Sequence, residues 1–364
     1  MALSAYGVNA NEAVKLWSKR LFIEVLKYTN FADYMGTSTD DMLVIQEETS
    51  KTAGDRVRVI LRKLLSGSGV QGDTTLEGNE EQLSTFTQDT VIDQLRHGVR
   101  SAGQMSEQRI PFSIREEAMR ALADWWADRL DFCIANQLCG NTGQTDTRYT
   151  GNNATLAPST ATANNRIIFP DSVNTTEALV QSQQVTFQIT HLDRALSAAK
   201  TAAPFMRPLK TGRGSFYVLF LHPNVSRDMQ TNATQGQVTW FNMMLAAMKG
   251  GKISDNALYK TPGGGDIFSR AIGTYKNVIL TENYRIPTAP SQANTYRNVL
   301  CAAQAGVVAF GQRYGNRRMS WKEKLFDYDN QLGVKAGIIF GIQKAQFNGI
   351  DYGTIVVPAY AAQL

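Results

Sequence analysis

The sequence predicts an α+β fold, and three observations support that prediction. Residues 55–65 alternate apolar and basic side chains with the two-residue period of a strand, and a second extended segment follows at 85–95 after a glycine-rich acidic loop. A helical pattern of apolar residues covers 113–140. Apolar runs typical of buried strands recur in the second half of the chain, at 214–222, 277–281, 298–310, 334–342 and 352–357. We expect the last two of these strands to pair with each other.

The two extended segments predict a long β-hairpin. One face of the outgoing strand is apolar and the other is basic, with Arg56, Arg58 and Arg62 on the basic face. Eleven residues at about 3.3 Å each reach about 36 Å. A two-stranded ribbon of that length buries too little apolar area to offset its ordering entropy. We therefore expect another molecule, most simply a second copy of the chain, to hold it.

The charges of this hairpin are unevenly distributed. Residues 70–94 include six acidic residues and no basic one, namely Asp73, Glu77, Glu80, Glu81, Asp89 and Asp93. One interpretation is cross-strand ion pairing on a solvated hairpin, which contributes little stability. The other is that the acidic tip binds a basic patch on a neighbouring subunit. The sequence offers such a patch in Arg313, Arg317, Arg318, Lys322 and Lys324. The residues leave both interpretations open.

Residues 11–29 have the apolar spacing of an amphipathic helix, with Asn11 as its N-cap. The basic residues of this helix are Lys15, Lys19, Arg20 and Lys27. A basic helix face of this kind is usually solvated. In a protein that binds nucleic acid, it can instead contact the phosphates without recognising the sequence.

A longer helix is predicted from Ser113, which forms a capping box with Glu116, to Gly140. About 26 residues at 1.5 Å each make a rod of about 39 Å. We expect one of Trp125 and Trp126 in the core and the other at an interface. Further helices are predicted from Thr190 to Pro204, at 225–232 and at 238–248, with a glycine loop at 263–265.

Signals of catalysis are weak. Gly67, Gly69 and Gly72 have dinucleotide-motif spacing, but a loop follows where that motif requires a helix. The 3 histidines and 3 cysteines fit no metal-ligand or disulfide pattern, and no nucleophile-elbow motif is present. We expect no cofactor, no metal and no enzyme activity. No secretory signal or membrane span is predicted, and the net charge of +5 permits loose contact with nucleic acid.

Several stretches resemble a known family. They are 65–81 (LSGSGVQGDTTLEGNEE), 93–109 (DQLRHGVRSAGQMSEQR), 111–118 (PFSIREEA), 125–129 (WWADR) and 140–142 (GNT). Together with the order of elements, they resemble the major capsid proteins of tailed bacteriophages with the HK-97-like fold, and among these the N-four-like phage capsid family. The resemblance is dense over residues 10–142. From there to residue 364 it is looser and rests on the sequence pattern alone.

The resemblance implies a domain division. It assigns 1–50 to an N-terminal arm, 51–112 to an extended β-hairpin loop, 113–185 to a peripheral domain with a spine helix, 186–300 to an axial domain, and 301–364 to a return to the peripheral sheet. It also implies homo-hexamers and homo-pentamers in an icosahedral shell around double-stranded DNA. The expected partners are the portal, decoration proteins and a scaffolding protein on a separate chain, and the expected location is the virion, after assembly in the host cytoplasm.

Two other functions stay open at the level of sequence. One is a different virion component, such as a tail or decoration protein. The other is a hydrolase that acts on a polymer. Particle size and copy number in the virion distinguish these from a shell protein.

Overall fold

In the computed structural model, two six-stranded β-sheets, the helices packed on them and a separate β-hairpin form most of the described part of the chain. The structure describes residues 11–48, 55–62, 65, 67–82, 85–161, 164–170, 176–211, 214–231, 271–311 and 318–363. The predicted helix at 238–248, the glycine loop at 263–265, and Arg313 and Arg317 lie outside these ranges.

The longer α-helices follow apolar stripes in the sequence, whereas the shortest are single polar turns. They are α1 (Asn11–Tyr28), α2 (Gln104–Gln108), α3 (Ile114–Leu138), α4 (Thr147–Thr150), α5 (Glu177–Ser182), α6 (Ile189–Thr201) and α7 (Pro223–Thr231), with a 3-10 turn at Ala32–Tyr34. Helix α3 ends where predicted, since Gly140 follows it with a φ of 63°. Its predicted capping box does not form: Ser113 is the N-cap residue but makes no side-chain cap bond. Glu117 N instead donates to the Ser113 carbonyl at 3.1 Å.

The first sheet lies under α1 and α3. Its strands are β1 (Met35–Gly36), β2 (Leu43–Glu48), β5 (Asp93–Arg100), β11 (Gly306–Gly311), β12 (Met319–Phe326) and β13 (Gln331–Lys344). The order is β1-β2-β11-β13-β12, and β5 also pairs with β13. Alternate residues of β13, such as Phe340, face α3, where Phe340 packs edge-on against Trp126. Trp126 is therefore the core member of the tryptophan pair.

The second sheet contains most of the aliphatic runs. Its strands are β6 (Leu209–Thr211), β7 (Gly214–Leu221), β8 (Ala271–Tyr275), β9 (Val278–Glu282), β10 (Thr295–Cys301) and β16 (Thr354–Tyr360). The order is β16-β10-β7-β9-β8, with β6 on β7. Strand β7 has six consecutive buried residues at its end, as expected for a strand covered on both faces.

Two neighbouring chain segments join the sheets. Residues 302–305 connect β10 to β11, and residues 345–353, which include the short pair β14 (Gln346–Phe347) and β15 (Ile350–Asp351), connect β13 to β16. The segments are bonded to each other: Ala345 N donates to Ala305 O at 3.0 Å, and Ala302 N donates to Gly353 O at 2.8 Å. This pair of segments is called the joint below.

The predicted hairpin is present as a two-stranded sheet of its own. Strand β3 (Arg56–Arg62) pairs antiparallel with β4 (Thr85–Val91) over the whole length of both strands. The return segment predicted at 85–95 is not continuous, because it breaks at Ile92 and resumes as β5 in the first sheet. The reason is a change of partner: β4 pairs with β3 and β5 pairs with β13.

Other sequence predictions differ from the structure in their pairing. The strands predicted at 334–342 and 352–357 do not pair, since β13 lies in the first sheet and β16 pairs with β10 in the second. Residues 301–364 are expected from the sequence to return to one sheet. Strand β16 does not, because the joint carries the chain from the first sheet to the second. At the other end, residues 11–48 contribute α1 and β2 to the body of the subunit.

Candidate functional site

The hairpin pairs its own charges at one cross-strand position. Arg58 and Asp89 lie directly opposite each other, and Arg58 Nε approaches Asp89 Oδ1 to 2.6 Å. The hydrogen bond from Arg58 lowers the pKa of the Asp89 carboxyl. Because Arg58 is exposed, the pair contributes little stability. Arg56 is exposed beside Asp55, and Arg62 is described only by its backbone position in β3.

The loop between the strands carries four acidic residues that we call the acidic tip: Asp73, Glu77, Glu80 and Glu81. All four are exposed, as is nearly every residue of 67–82. Glu80 accepts a hydrogen bond from Gly78 N at 2.7 Å, and Glu81 accepts one from Gly67 N at 2.6 Å. Because all four side chains are exposed, the acidic tip lies at the surface of the single chain.

The base of the hairpin is anchored by two buried amide side chains. Asn153 accepts from Val91 N at 2.9 Å and donates to Val91 O at 3.0 Å. Gln88 donates to Lys344 O at 2.8 Å and accepts from Gln346 N at 3.0 Å. These bonds replace a strand ladder between the hairpin and the first sheet. Among the described residues of the hairpin, the side-chain bonds to the first sheet lie towards its base.

The structure describes three of the five residues in the basic patch predicted near residue 318. Arg318 bonds to Glu47, and its guanidinium lies 5.2 Å from the Phe22 ring and 5.3 Å from the Phe310 ring, beside α1. Lys322 and Lys324 are exposed on β12. Arg313 and Arg317 lie outside the described residues. The patch as a whole stays a prediction.

The basic residues of α1 lie on its solvent side where side chains are described. Lys19, Arg20 and Lys27 are exposed, and Lys27 Nζ bonds Glu24 at 2.8 Å. Lys15 is described only by its backbone position in the helix. These exposed positions are compatible both with a solvated face and with a non-specific contact to nucleic-acid phosphates.

Two buried ion pairs were missed by the sequence analysis. Lys344 and Asp351 are both fully buried, with Nζ 2.9 Å from Oδ1, and burial lowers the pKa of Lys344 although Asp351 opposes that shift. Arg297 binds Glu177 at 2.5 Å and also donates to Gly140 O at the end of α3. A lysine that directly follows an apolar run is a weak signal of such a pair, because a buried charge requires a partner.

The histidines and cysteines have structural surroundings. His97 stacks on Trp125 at 4.4 Å, His191 Nδ1 accepts from Gln188 N at 3.0 Å, and His222 Nδ1 accepts from Asn224 N at 3.2 Å. Burial raises the pKa of Cys133 and of Cys139 to about 12, so neither thiol is an activated nucleophile. Among the described residues there is no cluster of three or more His, Cys, Asp or Glu suited to a metal ion.

The comparison with protein families decides the identity. Residues 5–363 match the family model described as phage capsid protein. The chain belongs to this family. The phage capsid protein is 27% identical over 383 residues to the major capsid protein of Pseudomonas phage KPP25, with 95% of each chain covered.

Solved structures agree with this assignment. The phage capsid protein superposes on the capsid of Ralstonia phage GP4 with a TM-score of 0.75 and 26% identity over 92% of each chain. It matches the cyanophage Pam1 capsid asymmetric unit with a TM-score of 0.69 and 19% identity, covering 93% of this chain and 94% of that one, which shows the shared fold alone.

These findings confirm the HK-97-like capsid fold and the function of a major capsid protein in the virion shell. Its relatives are structural proteins, and a capsid shell requires association with copies of the same chain. No helix in the described part of the chain has the length and apolar character to cross a membrane.

Proposed function

We propose that the phage capsid protein forms homo-hexamers and homo-pentamers of an icosahedral shell that encloses double-stranded DNA, with each hairpin loop lying over an adjacent subunit. The observation that carries this proposal is the hairpin itself. It is anchored at its base by Asn153 and Gln88, while 67–82 has almost no contact that buries it within its own subunit. A segment ordered in this way gains its stabilising surface from a neighbour.

A closed shell contains many copies of the same weak contact between subunits. Closed symmetry repeats the same interface in every subunit, so contacts that are individually weak together make a stable container. In the proposed division, the first sheet with α1 and α3 forms the peripheral domain and the second sheet forms the axial domain. The last strand, β16, belongs to the axial side because it pairs with β10.

The proposed contact with DNA is non-specific. Lys15, Lys19, Arg20 and Lys27 place four positive charges on α1, which suits phosphate contact without base recognition. Arg56, Arg58, Arg62 and Arg318 are proposed inter-subunit contacts, together with Arg313 and Arg317. The portal, decoration proteins and a scaffolding protein are proposed partners of the assembled shell.

The role is proposed to be mechanical and not enzymatic. Each histidine side chain is engaged in packing or in a backbone hydrogen bond, and the buried thiols of Cys133 and Cys139 have raised pKa values. These features support a structural protein more than a hydrolase.

Deletion of 66–83 tests the proposal. Joining Leu65 directly to Ser84 leaves four residues between Arg62 and Thr85, which pair in the intact hairpin, and four residues are a common length for a hairpin loop. We expect a folded subunit with unchanged helix content that no longer closes into shells, measured by circular dichroism and electron microscopy of purified particles. Closed shells of normal size from the deleted protein, or a wild-type chain that never forms particles, would contradict the proposal.

A further inference from the structure

The first sheet has a face that none of the described long helices covers, and this face is basic. Side chains alternate along β5, β12 and β13, so one set faces α3 and the other faces away. The helix-facing set includes Glu323, which binds Arg115 of α3 at 2.7 Å, and His97, which stacks on Trp125. The opposite set contains five cations, Arg96, Arg100, Lys322, Lys324 and Lys335, which we call the basic face.

Close contacts confirm that these residues share one side of the sheet. A Cβ atom on Gly337 would lie 3.1 Å from both Arg96 Cγ and Ser320 Oγ, and one on Gly98 would lie 3.2 Å from Lys335 Cβ. The Arg100 guanidinium lies 4.3 Å, and the Lys324 ammonium 4.8 Å, from the centre of the Phe326 ring.

The basic face concentrates like charges. Lys322 and Lys335 are directly opposite in the β12–β13 register, while Lys324 and Arg100 both pair with Gly333 from its two sides. Three adjacent strands span only about 10 Å, and Arg96 to Arg100 about 13 Å. The outward positions of β5, β12 and β13, all of them described, contain no acidic residue. Like charges directly opposite each other are destabilising, so this face favours a partner with several negative charges.

The same chain supplies such a partner. The acidic tip carries four exposed carboxylates in a stretch, 70–94, that has no basic residue. All four side chains of the acidic tip are exposed in the single chain. The two surfaces have opposite charge and similar charge number, and electrostatic complementarity of this kind sets register and partner choice.

We infer that the basic face is the receptor for the acidic tip of a second copy of the chain. This inference rests on the proposed shell function and names the surface that the loop contacts. It assigns inter-subunit roles to Lys335, on the strand that follows Lys322, and to Arg96 and Arg100, which are more than 200 residues away in sequence and come close to Lys322 only through the sheet register.

A charge-swap series in the full-length protein tests the contact. Asp73→Lys with Glu77→Lys reverses the tip, and Lys322→Glu with Lys324→Glu reverses the face. Each pair is expected to lower the yield of closed particles about tenfold at low salt, and less at high salt, where exposed charges are screened. All four substitutions in one chain are expected to restore the yield. The matched control, Lys200→Glu with Lys210→Glu, changes the net charge equally on exposed residues away from the face and is expected to assemble normally.

Crosslinking identifies which molecule supplies the tip. With Glu77→Cys and Lys322→Cys in one chain, oxidation of assembled particles is expected to give a ladder of covalently linked subunits on a denaturing gel. The native cysteines are buried, so they interfere little. Crosslinks found only within single chains would overturn the inference.

Two further results of the charge-swap series would also overturn the inference. If wild-type shells form and the four-substitution chain is no better than either reversed pair, the inference fails while the shell function stands. If face reversal gives normal particles that retain less DNA and tip reversal has no effect, the face contacts DNA and the inference also fails. Lys322→Gln with Lys324→Gln guards against misfolding, since it removes charge without reversing it and is expected to give an intermediate yield.

Discussion

Asn153 forms hydrogen bonds with both backbone groups of Val91, at 2.9 Å to its N–H and 3.0 Å to its carbonyl. The same amide donates to Ile342 O in β13 at 3.2 Å. One side chain therefore connects the last residue of the hairpin to the first sheet, in the place where a strand ladder would otherwise run.

Substitution of Asn153 is predicted to loosen the hairpin base. Asn153→Ala removes the partners of Val91 and should lower the free energy of unfolding by about 1–3 kcal/mol. Denaturant unfolding measures the loss, and hydrogen exchange of the Val91 amide should accelerate. Asn79→Ala is the control, because the Asn79 side chain bonds only Thr75 O in the exposed loop. Equal effects of the two substitutions would contradict the anchoring role of Asn153.

The Lys344–Asp351 pair is predicted to depend on both partners. Removing one charge, as in Lys344→Met, leaves the other buried and unpaired and should cost about 3–5 kcal/mol. The combined Lys344→Met and Asp351→Leu chain should be less destabilised than the sum of the single variants. A double-mutant cycle by denaturant unfolding gives the coupling energy. Additive losses would show that the pair is not energetically coupled.

The stability of the subunit is predicted to fall in acid partly through His222. Burial lowers the pKa of His222 from 6.5 to about 4, while the ring stacks on Tyr296 at 3.9 Å. The unfolded chain then binds a proton before the folded one, so stability present above pH 6.5 is lost as the pH falls towards about 4. His222→Phe retains an aromatic ring without the titrating group. The difference in unfolding free energy between the two proteins should change across this window and be constant above it.

The turn between β12 and β13 is predicted to store backbone strain. Asp327, Tyr328 and Asp329 have φ values of 52°, 46° and 68°, and Tyr328 is fully exposed. Tyr328→Gly should stabilise the isolated subunit by about 1 kcal/mol, because glycine adopts this conformation without steric cost. Tyr328→Ala retains the cost and is the matched control. If both variants have the same denaturant midpoint, the turn is not strained.

Local patterns predicted much of the fold. Helix α3 and strands β3, β7 and β9 lie close to their predicted bounds, because their apolar spacing is a property of consecutive residues. The break at Ile92 was not predictable in this way. Strand-like residues continue through it, and only the change of pairing partner from β3 to β13 defines it.

The candidate site was predicted less completely for the same reason. The acidic tip is contiguous, so its charge is visible in the sequence. The basic face is assembled from the neighbouring strands β12 and β13 and from β5, which precedes them by more than 200 residues along the chain. Only the register between β5 and β13 brings Arg96 and Arg100 beside Lys322 and Lys335, and this pairing is a long-range property.

The joint has a consequence for how the subunit carries load. Two covalent segments, 302–305 and 345–353, cross between the sheets side by side and are bonded to each other by Ala345 and Ala302. A Cβ atom on Gly353 would collide with the backbone of Ala305, so the segments have no room to slide. Phe31 and Tyr34, which precede β1, also pack on Phe220 of β7, so the sheets are held together by side chains as well as by the joint. We therefore expect outward pressure on a shell built from these subunits to separate neighbouring subunits before it parts the two sheets of one subunit.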